Sequence, residues 1–251
     1  MENGSGIKFI DSENCIIEDE RGIVFKEHYS LFKQAKEVLD KIGATRFFTD
    51  PHQETKMARE ALAEYFFTSA FKKYINKDLW ILQPKEDPPD FVLMTAEDDP
   101  ITITLDQFEL VEIEKHCDTF DGMMDIINNK LNKGYPTNYH LLIFVNHYKS
   151  KEWIELLNQR LEINPPFQSI WVLYLLFKNS QKIYSAVVRR IRPSLINIGV
   201  DFNDEGIYKQ NEAPNFAETI KANNRKFFKF KPEFLDKLRK ELLTAKLGKK
   251  K

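Results

Sequence analysis

No stretch of this sequence reaches the roughly 18 unbroken apolar residues that a membrane-spanning helix needs. Its start, MENGSGIKF, also lacks the basic-then-apolar layout of a secretory signal. The chain therefore reads as soluble and cytoplasmic, with no membrane partner. Cysteine is scarce: Cys15 and Cys117 stand far apart without CxxC spacing, which argues against a zinc site or a disulfide framework. A surplus of either charge is missing too, since 37 basic residues face 38 acidic ones. That balance excludes a uniformly basic nucleic-acid coat, yet a local basic face would not show in a sum. Several catalytic signatures are absent: the GxxxxGK[ST] phosphate loop, the GxGxxG turn, the HExxH helix and the GxSxG elbow. With no internal repeat and no low-complexity linker, residues 1–251 read as a single elaborated α/β domain.

What is present is a series of clear periodicities. The first thirty residues alternate short apolar and turn-like groups, as a hairpin or extended arm does. Leu31, Phe32, Ala35, Val38, Leu39 and Ile42 form a helical stripe that Gly43 ends. From Gln53 to Ile75 a longer helix is apolar on more than one side, as expected of a helix buried between layers. Three strands are predicted next, FVLM from Phe91, ITITL from Ile101 and FELVEIE from Phe108, separated by AEDDP and DQ turns. Asp118 is the expected N-cap of a helix whose stripe is Phe120, Met123, Ile127 and Leu131, closed by Gly134. HLLIFVNHY then reads as a central strand buried on both faces. Beyond it lie a helix (KEWIELLNQRLE), two strands (SIWVLYLLF and KIYSAVVRRI), a further strand in LINIGVDF, a loop-rich region from Asn203 to Asn224, a last helix (PEFLDKLRKELLTAK) and a solvated KLGKKK tail.

The chemistry concentrates in PPDF and FELVEIE. Side chains at i and i+2 of a strand share a face, so Glu112 and Glu114 project together, away from Val111 and Ile113. If the strand opened by Asp90 lies near this one, three carboxylates converge and raise one another's pKa values unless a cation offsets them. Oxygen-only ligands suit Mg²⁺ or Mn²⁺, so Asp90, Glu112 and Glu114 are the expected metal ligands. Such an ion activates water for phosphodiester hydrolysis.

Pro89-Asp90, the acid pair on a later strand and the αβββαβ order resemble the PD-(D/E)xK nuclease superfamily. The resemblance implies a restriction-endonuclease-like core over about 53–148, with a mixed central sheet flanked by helices. N-terminal additions precede it, and a C-terminal extension of sheet and helices runs over about 149–246. It implies a nuclease acting on nucleic acid, DNA by analogy, with a homodimer compatible with the reading. One departure stands out: where the family has lysine two residues after the glutamate, this chain has Glu114. Some members carry the basic group on the following helix, and here Lys130 flanks the buried stripe, with Lys133 rotated further away. The family's acid on the preceding helix corresponds to Glu60 or Glu64, with Glu64 favoured. The competing expectation keeps the fold without the chemistry, as a binding or assembly module of a microbial defence or mobile-element system.

Other features have plainer readings. His140 and His147 face opposite sides of their strand and do not share a metal. The RRIRP stretch from Arg189 and the lysine tail are suited to phosphate contact or to simple solvation. The aromatics of KFFKFKPEF suit packing of the final helix, and less well a stacking surface for single strands.

Overall fold

The computed structural model describes residues 8–11, 16–18, 24–26, 28–77, 79–84, 89–98, 101–114, 116–117, 119–146, 151–161, 166–178, 183–202, 217–222 and 225–244. Three short strands, β1 (Lys8–Asp11), β2 (Ile16–Glu18) and β3 (Val24–Lys26), precede helix α1 (His28–Ile42). Gly43, at φ 78°, separates α1 from the short helix α2 (Ala44–Phe47), which the helical stripe alone did not reveal. Helix α3 follows (Gln53–Ile75), then strands β4 (Trp80–Gln83), β5 (Phe91–Asp98) and β6 (Ile101–Ile113). Helix α4 (Phe120–Leu131), strand β7 (Tyr139–Val145) and helix α5 (Lys151–Arg160) lead to strands β8 (Ser169–Lys178), β9 (Ile183–Arg192) and β10 (Ile196–Phe202). A hairpin of β11 (Ala217–Ala222) and β12 (Arg225–Phe230) ends in helix α6 (Pro232–Thr244).

The first ten strands form one mixed sheet in which chain order is spatial order. Only the β6–β7 and β7–β8 pairs are parallel. Each needs a crossover, supplied by α4 and α5. Right-handed crossovers that step the same way along a sheet place their helices on the same face. Accordingly Met123 and Ile127 of α4 and Leu157 of α5 share one core with Val111, Ile143 and Val172. The opposite face carries α1 and α3, whose Leu31, Phe32, Phe66 and Phe67 pack over Phe108, Phe144 and Trp171. All of β7 is buried, as its near-continuous apolar run requires.

Three sequence expectations change. ITITL and FELVEIE are not two strands but one of 13 residues. Asp106 and Gln107 sit in its ladder opposite Leu93 and Val92, because paired strands on either side satisfy the backbone that a turn would expose. The third strand of the meander is instead Trp80–Gln83, which precedes Phe91 and pairs with it through Leu82 and Val92. The loop-rich region from Asn203 contains β11, which pairs antiparallel with Arg225–Phe230 ahead of the final helix. The N-cap of α4 is Thr119, whose Oγ1 accepts from the Gly122 amide at 3.1 Å; Asp118 lies outside the described residues, as do Lys115, His147 and the terminal tail. His140 is a core-edge residue whose ring stacks on Phe108 and whose Nδ1 lies 2.6 Å from Ser169 Oγ.

Candidate functional site: a notch at the start of β5

Strand β5 pairs with β6 only as far as Phe91 opposite Phe108, whereas β6 continues beside β7 to Ile113. The β5 side of residues 109–113 is therefore left as a notch in the ladder. Asp90 sits at its corner. Its amide donates to Phe108 O at 3.0 Å, and its Oδ2 accepts from the Leu110 amide at 2.6 Å. An aspartate is suited to this place because its carboxylate can occupy the acceptor position that a continuing strand would fill.

Period-two alternation decides what surrounds it. Glu109 shares the α4 face with Val111 and Ile113, whereas Glu112 shares the α3 face with Phe108 and Leu110. On the α4 side Lys130 Nζ lies 3.3 Å from Asp90 Oδ2 and 2.7 Å from Glu109 Oε2. Glu109 is wholly buried, and neither of its oxygens receives a well-angled hydrogen bond among the described residues. Burial lifts its pKa above the usual carboxylate range and the Asp90 charge adds to this, against the pull of Lys130 and Tyr135. Burial alone would lower the pKa of the Lys130 ammonium, but Asp90 and Glu109 outweigh it and hold the pKa above that of ordinary lysine. Gly134, at φ 72°, turns the chain after α4 and brings Tyr135 beneath the ammonium, 5.7 Å from its ring centroid. The Tyr135 hydroxyl is pushed up to about 12 by burial and by Glu109.

On the α3 side the cation is Arg59, 1% exposed. Its fork holds Glu112, with Nε 2.5 Å from Oε1 and Nη2 3.2 Å from Oε2. Nη1 donates to Phe47 O at 3.0 Å and Asp50 O at 2.8 Å, tying the α2–α3 connection to β6. Asn146, just past β7, donates to Glu112 Oε1 at 2.7 Å, and Glu114 lies 3.9 Å from Arg59 Nη2. Next along α3, Glu60 has a raised pKa, first through burial and then through the charges of Asp90 and Glu112. Glu64, the acid favoured from sequence, is engaged elsewhere: Gln83 of β4 donates to its Oε2 at 2.8 Å. Lys133 is exposed and forms no part of the cluster.

The structure thus brings Asp90 and Lys130 together, sets Glu60 within reach of their field and ties Glu112 and Glu114 to Arg59. Among the described residues no three His, Cys, Asp or Glu side chains are grouped to hold one ion, so the set Asp90, Glu112 and Glu114 does not fit a shared metal. The charges of Glu112 and Glu114 are met by the Arg59 guanidinium, and that of Asp90 by the Lys130 ammonium. A different pair does fit. Asp90 and Glu109 lie one step beyond the Phe91–Phe108 pair, one lysine touches both, and the Glu109 carboxylate is buried beside Lys130 and Tyr135. Mg²⁺ commonly takes only one or two protein carboxylates, its other positions going to water and phosphate. Sequence reasoning missed Glu109, Tyr135, Asn146 and Arg59. Two carried a signal: Glu109 is an acid in the alternation with Val111 and Ile113, and Arg59 is a cation inside the apolar side of α3.

Compared with family models and with curated proteins, the chain matches none of either.

Proposed function

We propose that the chain is a metal-dependent, nuclease-like protein that hydrolyses phosphodiester bonds, with DNA as the substrate class. The order α3–β4–β5–β6–α4–β7 supports a restriction-endonuclease-like core for it. The observation that carries the reading is the pair Asp90 and Glu109 with Lys130 in contact with both. A bound Mg²⁺ or Mn²⁺ would be held by these two carboxylates and would supply activated water and charge stabilisation at phosphate. Asp90, 31% exposed, is the solvent-facing ligand. Lys130 keeps its proton throughout and offsets charge growing on the phosphate oxygens, the part that a lysine at position 114 would otherwise play. Glu60, whose pKa is raised by burial and by the Asp90 and Glu112 charges, is the acid of α3 assigned to proton transfer in this reading. Arg59, through Glu112 and the Phe47 and Asp50 carbonyls, fixes the end of α3 that carries Glu60.

The test is cleavage of plasmid and linear DNA with Mg²⁺ or Mn²⁺ by the wild type and by Asp90→Asn, Glu109→Gln and Lys130→Met. Each substitution is expected to lower the rate at least about 100-fold, the usual scale for loss of one charge-stabilising group. Equal cleavage by all four proteins would sink the reading. A second reading, a nuclease-like module without chemistry, is favoured by the ion pairs that Lys130 already makes with both carboxylates. Calorimetry with Mn²⁺ separates the two: the active reading requires binding that Asp90→Asn abolishes, and the inactive one requires none at millimolar ion.

A further inference from the structure

Two cations meet the acids around the notch, and they are held differently. Arg59 is anchored to the main chain as well as to Glu112, through Phe47 O and Asp50 O. Lys130 Nζ instead meets side chains: Asp90 Oδ2 at 3.3 Å, Glu109 Oε2 at 2.7 Å and the Tyr135 ring at 5.7 Å from its centroid. A forked guanidinium with four acceptors is fixed, whereas an ammonium on a four-carbon stem can exchange one partner for another without moving the backbone. Lys130 also lies in the last turn of α4, where the carbonyls of the helix end favour a positive charge nearby.

The acids differ in what each could do without that ammonium. Asp90 is 31% exposed at its side chain, so water can solvate it. Glu109 is 0% exposed, and a buried carboxylate stays ionised only beside a compensating charge. Lys130 supplies that charge, and the two carboxylates with one ammonium leave a single negative charge. This near-balance works against a divalent ion. Oxygens already facing an ammonium are not free to coordinate, and a dication a few ångströms from that ammonium would be repelled by it even at an effective dielectric constant of about 20. Lys130 has to give up these oxygens before they can hold a metal.

We propose that Lys130 is a tethered counter-ion that keeps the carboxylate pair closed: its ammonium holds Asp90 and Glu109 until a divalent ion takes its place, and only then turns to substrate phosphate. This role rests on the reading of Asp90 and Glu109 as metal ligands, and adds to it the order of events at that site. The Tyr135 ring, already within cation–π reach, gives the displaced ammonium a second seat. The fold around the notch then does not depend on a metal, because the lysine balances Glu109 by itself. Metal affinity is in turn set below what the two carboxylates would provide alone, and the cation that stabilises phosphate is released only at a loaded site.

Mn²⁺ binding is measured by calorimetry, and thermal melting is followed in EDTA and in millimolar Mn²⁺, with no nucleic acid present. Wild type is compared with Lys130→Met and with Glu109→Gln/Lys130→Met. Lys130→Gln, which keeps a hydrogen-bond donor beside Glu109, is measured alongside and read by the same criteria should the apolar replacement fail to fold. Lys130→Met is expected to melt at least about 4 °C below wild type in EDTA, since it strands a buried carboxylate. It is also expected to bind Mn²⁺ at least about tenfold more tightly than wild type and to recover its lost stability when the ion is added. The double variant is expected to lose that gain in affinity. A lysine with a merely structural part would lower stability without raising affinity. Mn²⁺ binding by wild type that Lys130→Met leaves unchanged or weakens overturns the proposal and leaves the metal reading intact. Binding by Lys130→Met where wild type shows none upholds the proposal and assigns the natural chain to the reading without chemistry. Binding by neither overturns both.

Discussion

A carboxyl group whose pKa is raised stays protonated in the folded chain at a pH where the unfolded chain has already ionised. The folded state then binds more protons, and stability falls as pH climbs from the unfolded value through the folded one. Glu60 is such a group, raised by burial and by Asp90 and Glu112 from an unfolded value of 4.5. Glu60→Gln removes the liability, so the variant is expected to be more stable than wild type at pH 8, with the gain vanishing below about pH 4. Urea midpoints at the two pH values measure this. A gain confined to acid pH would show that the carboxylate is stabilised, not strained, by its neighbours. Asp50 has the opposite sign: the His52 amide holds its pKa below the ordinary value, so its contribution is present at neutral pH and lost in acid.

Between elements, one buried ion pair ties the start of α3 to the end of β6. Arg59 reaches four acceptors on three segments, and Glu112, 4% exposed at its side chain, relies on it for charge balance. Arg59→Ala is expected to cost about 3–5 kcal/mol in urea denaturation, because it strands a buried carboxylate. Pairing it with Glu112→Leu restores most of the loss, since an apolar replacement of both partners carries no unpaired charge. A double variant no better than the single one would mean that the carbonyl bonds to the α2–α3 connection are what matter.

Across the whole molecule, the long sheet divides two cores, and the one under α3 is the more aromatic. Phe67 lies against Phe71, Phe91, Phe108 and Trp171, with ring centroids 5.6, 6.4, 4.9 and 5.4 Å away. Through Phe91 and Phe108 it supports the residues that immediately follow Asp90 and precede Glu109. Phe67→Ala is expected to destabilise the fold by about 3–5 kcal/mol. It is also expected to loosen the notch, read as faster amide exchange at Leu110, whose N–H is held by Asp90. Loss of stability without faster exchange there would detach the core from the site.

The sequence by itself determined the α/β class, the long buried helix 53–75, the fully buried β7 and the reach of Lys130 toward the sheet, because each follows from a local period or a capping residue. Alternation also fixed that Glu112 faces away from Val111. What only the tertiary structure decided was which carboxylate shares a lysine with Asp90. That depends on strand register, and once ITITLDQFELVEI became one strand paired directly with β5, Glu109 and not Glu112 stood one step beyond the Phe91–Phe108 pair. The arginine that neutralises Glu112 is 53 residues away in sequence, a contact set by packing of α3 on the sheet and by no nearby pattern.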